Sequence, residues 1–120
     1  VAVRAVRGAT QVDADDRDQI LAATAELVTE VMTRNALTTD DVISVIFTAT
    51  PDLTAEFPAL AARKLGFHEV PLLCAGEIGV PHALPRVIRL MAHVETDRPR
   101  SEIQHVYLRG ASALRLDIAQ

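Results

Sequence analysis

The first fifty residues change periodicity twice, and that change limits the folds open to the chain. Residues 1–12 begin "VAVRAVRGAT". Val1, Val3, Ala5 and Arg7 alternate with Ala2, Arg4, Val6 and Gly8, as in a strand covered at least partly on both faces. Residues 16–34 instead bring Ile20, Leu21, Leu27, Val28, Val31 and Met32 onto one helical stripe. The acidic "DADDRDQ" before it offers Asp13 or Asp15 as the helix cap, and Asn35 is the expected terminator. "DDVISVIFTAT", 40–50, is rich in β-branched residues and reads as a second strand buried on both faces. A strand–helix–strand unit of this kind calls for parallel neighbours joined by a right-handed crossover.

Beyond residue 50 the punctuation is proline and glycine. Pro51 ends the second strand, and Pro58 can open a short helix, 57–66, as its first residue, with Gly66 closing it. "HEVPLLCA" reads as a third strand, followed by the glycine- and proline-rich loop "GEIGVPHALP". A long loop at a strand end is where function tends to sit. "RVIRLMAHVET", 86–96, is read as a fourth strand from its Val and Ile content and flanking prolines. "DRPRSEI" makes a turn, and "IQHVYLRG" is a last strand. The order β-α-β-α-β-β-β implies an α+β fold, a mixed sheet of about five strands with its helices on one face and the last strands able to pair antiparallel. The other sheet face is then apolar and uncovered, and a partner subunit is its simplest cover.

Composition narrows the function. A chain of 120 residues is expected to form one domain, 1–120, and can bury a core without staples. A net charge of −4 and an aromatic content of 3% argue against nucleic acid as a partner. Cys74 is the single cysteine, which excludes an internal disulfide and points to the cytoplasm. Neither a membrane span nor a signal peptide is expected, because Arg4 and Arg7 interrupt the first apolar run. The four histidines lack metal-ligand spacing, and no glycine-rich phosphate loop opens a helix.

What remains is an unusual placement of arginines. Arg7 and Arg89 each project from an otherwise apolar strand face. A buried guanidinium needs a partner, either a protein carboxylate or a ligand anion. Taken singly, each has a bland explanation: an ion pair for either arginine, with Glu77 as its acid, an edge position for Tyr107, and a small buried hydrophobe for Cys74. Taken together with Arg63 and Arg115, they describe an arginine-rich pocket suited to a small dicarboxylate. A non-catalytic carboxylate-binding protein would have the same pocket.

The blocks "VRGAT", "TATPDLTAEFPALAARKLG", "VPLLCAGEIGV", "IRLMAHVETD" and "HVYLRGASALRLD" run nearly end to end. As a set the chain resembles the monofunctional bacterial chorismate mutases of the trimeric pseudo-α/β-barrel type, a family distinct from the all-helical mutases. The resemblance implies conversion of chorismate to prephenate in tyrosine and phenylalanine biosynthesis. It also implies no metal and no cofactor, and a homotrimer with active sites in clefts between subunits. By motif it assigns catalytic positions to Arg7, Cys74, Glu77, Arg89 and Tyr107. It places Phe57 and Arg63 on the cleft wall from the second helix, Leu72 and Leu73 beside Cys74, and Leu114 and Arg115 in the tail, all against substrate. Leu60 departs from the pattern, standing where some relatives carry a lysine near the cleft mouth.

Overall fold

Asp16 opens the long helix α1 (Arg17–Arg34): its carboxylate accepts the Gln19 amide at 3.0 Å and satisfies a donor that the helix itself leaves over. The cap is therefore neither Asp13 nor Asp15. Asp15 turns away and receives the amides of Thr54 and Ala55, each at 2.9 Å, and the Thr54 hydroxyl at 2.8 Å. Where the 51–57 loop lands decides which of three neighbouring acids caps and which ties, and local sequence does not carry that. Asn35 ends α1 as expected. Of the apolar stripe, Ile20, Leu27, Val28 and Val31 are buried, while Leu21 and Met32 are half-buried at its margins.

The computed structural model of the chain describes residues 1–114. Its strands are β1 (Ala2–Gln11), β2 (Val42–Ala49), β3 (Leu72–Gly76), β4 (Val87–Thr96) and β5 (Val106–Tyr107), and the second helix is α2 (Ala59–Lys64). They form one mixed sheet in the order β3-β2-β4-β1-β5, with both helices on one face. β4 pairs antiparallel with both β1 and β2, whereas β2–β3 and β1–β5 are parallel. So β1 and β2 do run parallel, but they are not neighbours: β4 is inserted between them. The expected antiparallel pairing of the late strands holds for β4 and fails for β5.

Several boundaries move for local reasons. β2 starts only at Val42, because the Asp41 carboxylate takes the Thr38 amide at 2.8 Å and winds Thr39–Asp41 into a 3-10 turn. α2 is shorter than 57–66 and Pro58 caps it from outside; Gly66 at φ 104° completes the C-terminal turn, with Phe67 N–H donating to Ala62 O at 3.2 Å. β5 keeps two of the eight residues expected over 103–110. Upstream, the buried Asn35 side chain holds both backbone groups of Gln104, at 2.8 and 2.9 Å. Downstream, Arg109 at φ 53° turns the chain into a 3-10 helix, Arg109–Ala113.

The core lies between the helices and one face of the sheet, where Val6, Phe47, Leu90 and Val94 meet Leu27, Val28 and Val31. α1 crosses β1 closely at Gly8, where a Cβ would sit 3.1 Å from Leu27 Cδ1. The opposite face is open. Val3 is 59% and Leu73 60% exposed there, and Ile46 of β2 is 37% exposed, so β2 is covered on one face only within this chain.

Candidate active site on the open sheet face

The strand registers bring four distant segments to one place on the open face. Ala9 of β1 stands opposite Arg89 of β4 and beside Tyr107 of β5. Arg89 in turn stands opposite Thr48 of β2. Arg7 is two residues along β1 on the same face, opposite Met91. These residues line a cavity of about 400 Å³ together with Ile46 and His93. The guanidinium that an apolar strand face was expected to bury is thus exposed in the chain: Arg7 projects from the face that, among the described residues, no helix covers.

Glu77 organises the other side of the cavity. It follows β3 directly, and its amide donates to Ala49 O at 2.9 Å, continuing the β2–β3 ladder by one rung. One carboxylate oxygen meets Arg89 Nε at 3.2 Å, and the other accepts the Thr48 hydroxyl at 2.7 Å. Thr48 and Arg89, paired across two strands, are thereby locked to one acid. The ion pair engages Nε, one of the five N–H donors of the guanidinium. At the far side, the Arg7 amide donates to His105 Nδ1 at 2.9 Å. Burial, and secondly the Arg7 charge, push the His105 imidazole below its ordinary pKa, so it is neutral at pH 7.

The other motif residues lie elsewhere. Cys74 pairs in register with the fully buried Phe47, which puts its side chain on the helix side of the sheet, away from Arg89. It lines a separate cavity of about 370 Å³ with Phe57, Glu56 and Thr54. Phe57 is 69% exposed. Its loop is held by Asp15 and by an Arg17–Glu56 ion pair at 2.8 Å. A Phe57 amide bond and then Arg17 lower the Glu56 pKa; the Thr54 hydroxyl and amide lower that of Asp15. Arg63 is exposed on α2, and Leu60 is half-buried beside it. Leu72 packs on the core, Leu73 faces the open side, and Leu114 is half-buried at the last described position; Arg115 lies outside the described residues.

The family model "Chorismate mutase type I" matches residues 3–118 of the chain. The chain belongs to that family. Among curated relatives, "Chorismate mutase AroH" of Thermus thermophilus is 48% identical over 117 residues, covering 97% of this chain and 96% of that one. "Chorismate mutase AroH" of Bacillus subtilis (strain 168) is 41% identical over 118 residues, covering 98% and 93%. Among solved structures, a chorismate mutase from Clostridium thermocellum superposes with a TM-score of 0.91 at 48% identity, over 92% of this chain and 98% of that one.

In this chorismate mutase family member, one chain thus assembles Arg7, Glu77, Arg89 and Tyr107 around one face, and holds Cys74, Phe57 and Arg63 apart from it. Two participants escaped the sequence reading. Thr48 is indistinguishable from any threonine in a β-branched strand, where the residue is favoured anyway. In the sequence His105 reads only as a histidine without metal-ligand spacing. Its position two residues before Tyr107, in the same block, was the available signal. Among the described residues no group of three or more His, Cys, Asp or Glu could hold a metal, and no helix is long and apolar enough to cross a membrane.

Proposed function

We propose that the chain, an isomerase of the chorismate mutase type, rearranges chorismate to prephenate in the cavity between Arg7, Arg89 and Tyr107. The observation that carries this assignment is the clamp on Arg89: Glu77 holds it at 3.2 Å and is itself held by Thr48 at 2.7 Å. The reaction is intramolecular. An ether C–O bond breaks as a C–C bond forms, and negative charge builds on the ether oxygen, so no nucleophile, base, metal or cofactor is required. Catalysis reduces to holding the compact conformer and placing a fixed donor where the charge develops. Arg89 donates to the ether oxygen, and its immobilisation by Glu77 makes that donor preorganised. Arg7 and Tyr107 bind a substrate carboxylate. Glu77 also accepts from the substrate hydroxyl. Cys74, whose side chain lies on the other face of β3, lines the neighbouring cavity and supplies no chemical group to this one.

The working form is a homotrimer with its sites between subunits. Exposed Val3, Ile46 and Leu73 on the open face favour a covering partner. So does the separation, within one chain, of Phe57 and Arg63 from the arginine cavity: packing against that face would let another subunit supply them and the tail carrying Leu114 and Arg115. The single thiol and the biosynthetic activity support a cytoplasmic enzyme.

The test is loss of chorismate's ultraviolet absorbance, with Arg89→Ala alongside. The wild type accelerates the loss, and removing one transition-state donor lowers kcat by roughly 10²–10³. Loss at the spontaneous rate with wild type, or near-normal turnover in the variant, refutes the assignment. Sedimentation of a monomer at working concentration refutes the trimer.

A further inference from the structure

The β1–β5 ladder has two residue pairs, Gly8↔Val106 and Ala9↔Tyr107. One residue earlier on β1, the Arg7 amide points not to a backbone carbonyl but to a side chain, His105 Nδ1, at 2.9 Å. We infer that His105 is a positioning residue whose ring nitrogen stands in for the missing rung, fixing Arg7 of β1 against the strand that carries Tyr107. This inference rests on the proposed reaction, since those are the two residues assigned to a substrate carboxylate.

The bond constrains the imidazole's chemistry. Nδ1 accepts, so the single ring proton of the neutral form resides on Nε2. A protonated ring carries N–H at both nitrogens and would confront the Arg7 N–H with a second donor. The surroundings favour the neutral form. His105 lines a cavity of about 410 Å³ together with Arg4 of β1, His93 of β4 and Arg100 of the turn before β5. Among the described residues no carboxylate lines it, and Glu95, opposite Val3 in register, is not part of its wall. Burial and the Arg7 charge act in the same direction on the ring. Acid therefore breaks the contact between the Arg7 amide and the His105 ring, while the Gly8↔Val106 and Ala9↔Tyr107 pairs still join β1 to β5.

The experiment measures kcat and KM from pH 5 to 8 for the wild type, His105→Asn and His105→Phe. In parallel, NMR follows the Arg7 amide and the His105 ring nitrogens in the wild type. Asn carries a carbonyl oxygen near the Nδ1 position and does not titrate. As the ring protonates, wild-type KM is expected to rise roughly three- to ten-fold, the worth of one such hydrogen bond, with kcat nearly constant. His105→Asn keeps the pH 8 value of KM and loses the acid rise; His105→Phe has the raised KM at every pH. The Arg7 amide shifts with the same midpoint as the ring. An acid rise in KM that persists in His105→Asn overturns the inference, as does an Arg7 amide indifferent to the ring's titration. Absence of wild-type turnover would strike the reaction assignment alone, because the NMR coupling is read without substrate.

Discussion

Thr48→Val tests whether the clamp on Arg89 matters as a unit. Valine matches threonine in shape and β preference, so the change removes one hydroxyl and little else. That hydroxyl donates to Glu77 at 2.7 Å, and the acid's other oxygen meets Arg89 at 3.2 Å. A hydrogen bond to a charged group contributes about 1.5–3 kcal/mol net. The Glu77 side chain is 18% exposed, so water replaces part of the lost contact and the lower end of that range applies. About 1.4 kcal/mol is one decade in rate, which gives a fall in kcat of roughly ten-fold. KM should move little, because the Arg89 contact strengthens only as charge builds on the ether oxygen. Thr48→Ser keeps the donor and should stay close to wild type. Initial rates from chorismate absorbance, with a urea midpoint for each variant at fixed protomer concentration, separate the catalytic effect from folding. Wild-type kcat in Thr48→Val, or equal damage in Thr48→Ser, would refute the idea that Glu77 must be held from behind.

Three further outcomes follow from the geometry. Asn35→Ala removes three bonds, to Val31 O and to both backbone groups of Gln104, at a site 2% exposed; it should lower stability by about 2–4 kcal/mol in urea titrations. Cys74→Ser should retain most of the turnover, since the thiol lies on the helix side of β3; abolished activity in a folded variant would restore a direct chemical role. Asp15 and Glu56 have folded-state pKa values lowered by hydrogen bonds from the Phe57 loop, so their contribution is present above the ordinary carboxylate values of about 4 and is lost as pH falls through the depressed ones. The urea midpoint should therefore decline as pH falls below about 4.5, less steeply in Asp15→Asn.

Much of the architecture was legible in the chain because it is local. Alternation over residues 1–12 and 86–96, the stripe of α1 and the proline and glycine breaks each depend on a few neighbouring residues. β1, α1 and β4 appear nearly where those patterns put them. The family blocks likewise named Arg7, Glu77, Arg89 and Tyr107, and these do converge. What escaped was non-local. Whether Asp13, Asp15 or Asp16 caps α1 depends on a loop some forty residues away. The shortness of β5 depends on Asn35 reaching Gln104.

The same division runs through the site. Strand parity in the sequence puts Arg7 on one face of its strand and Arg89 on one face of another. It does not say that the two faces are the same. That was decided by the insertion of β4 between β1 and β2 and by the register that sets Ala9 and Thr48 on either side of Arg89. A shift of one residue would have sent Arg89 into the core with Leu90 turned outward. Packing of both helices onto one face excludes that slip, because only the face bearing Val6, Phe47, Leu90 and Val94 can meet Leu27 and Val31 without burying a charge. The chain by itself determined which residues alternate and which chemistry they carry. The burial of one face determined that the arginines meet on the other.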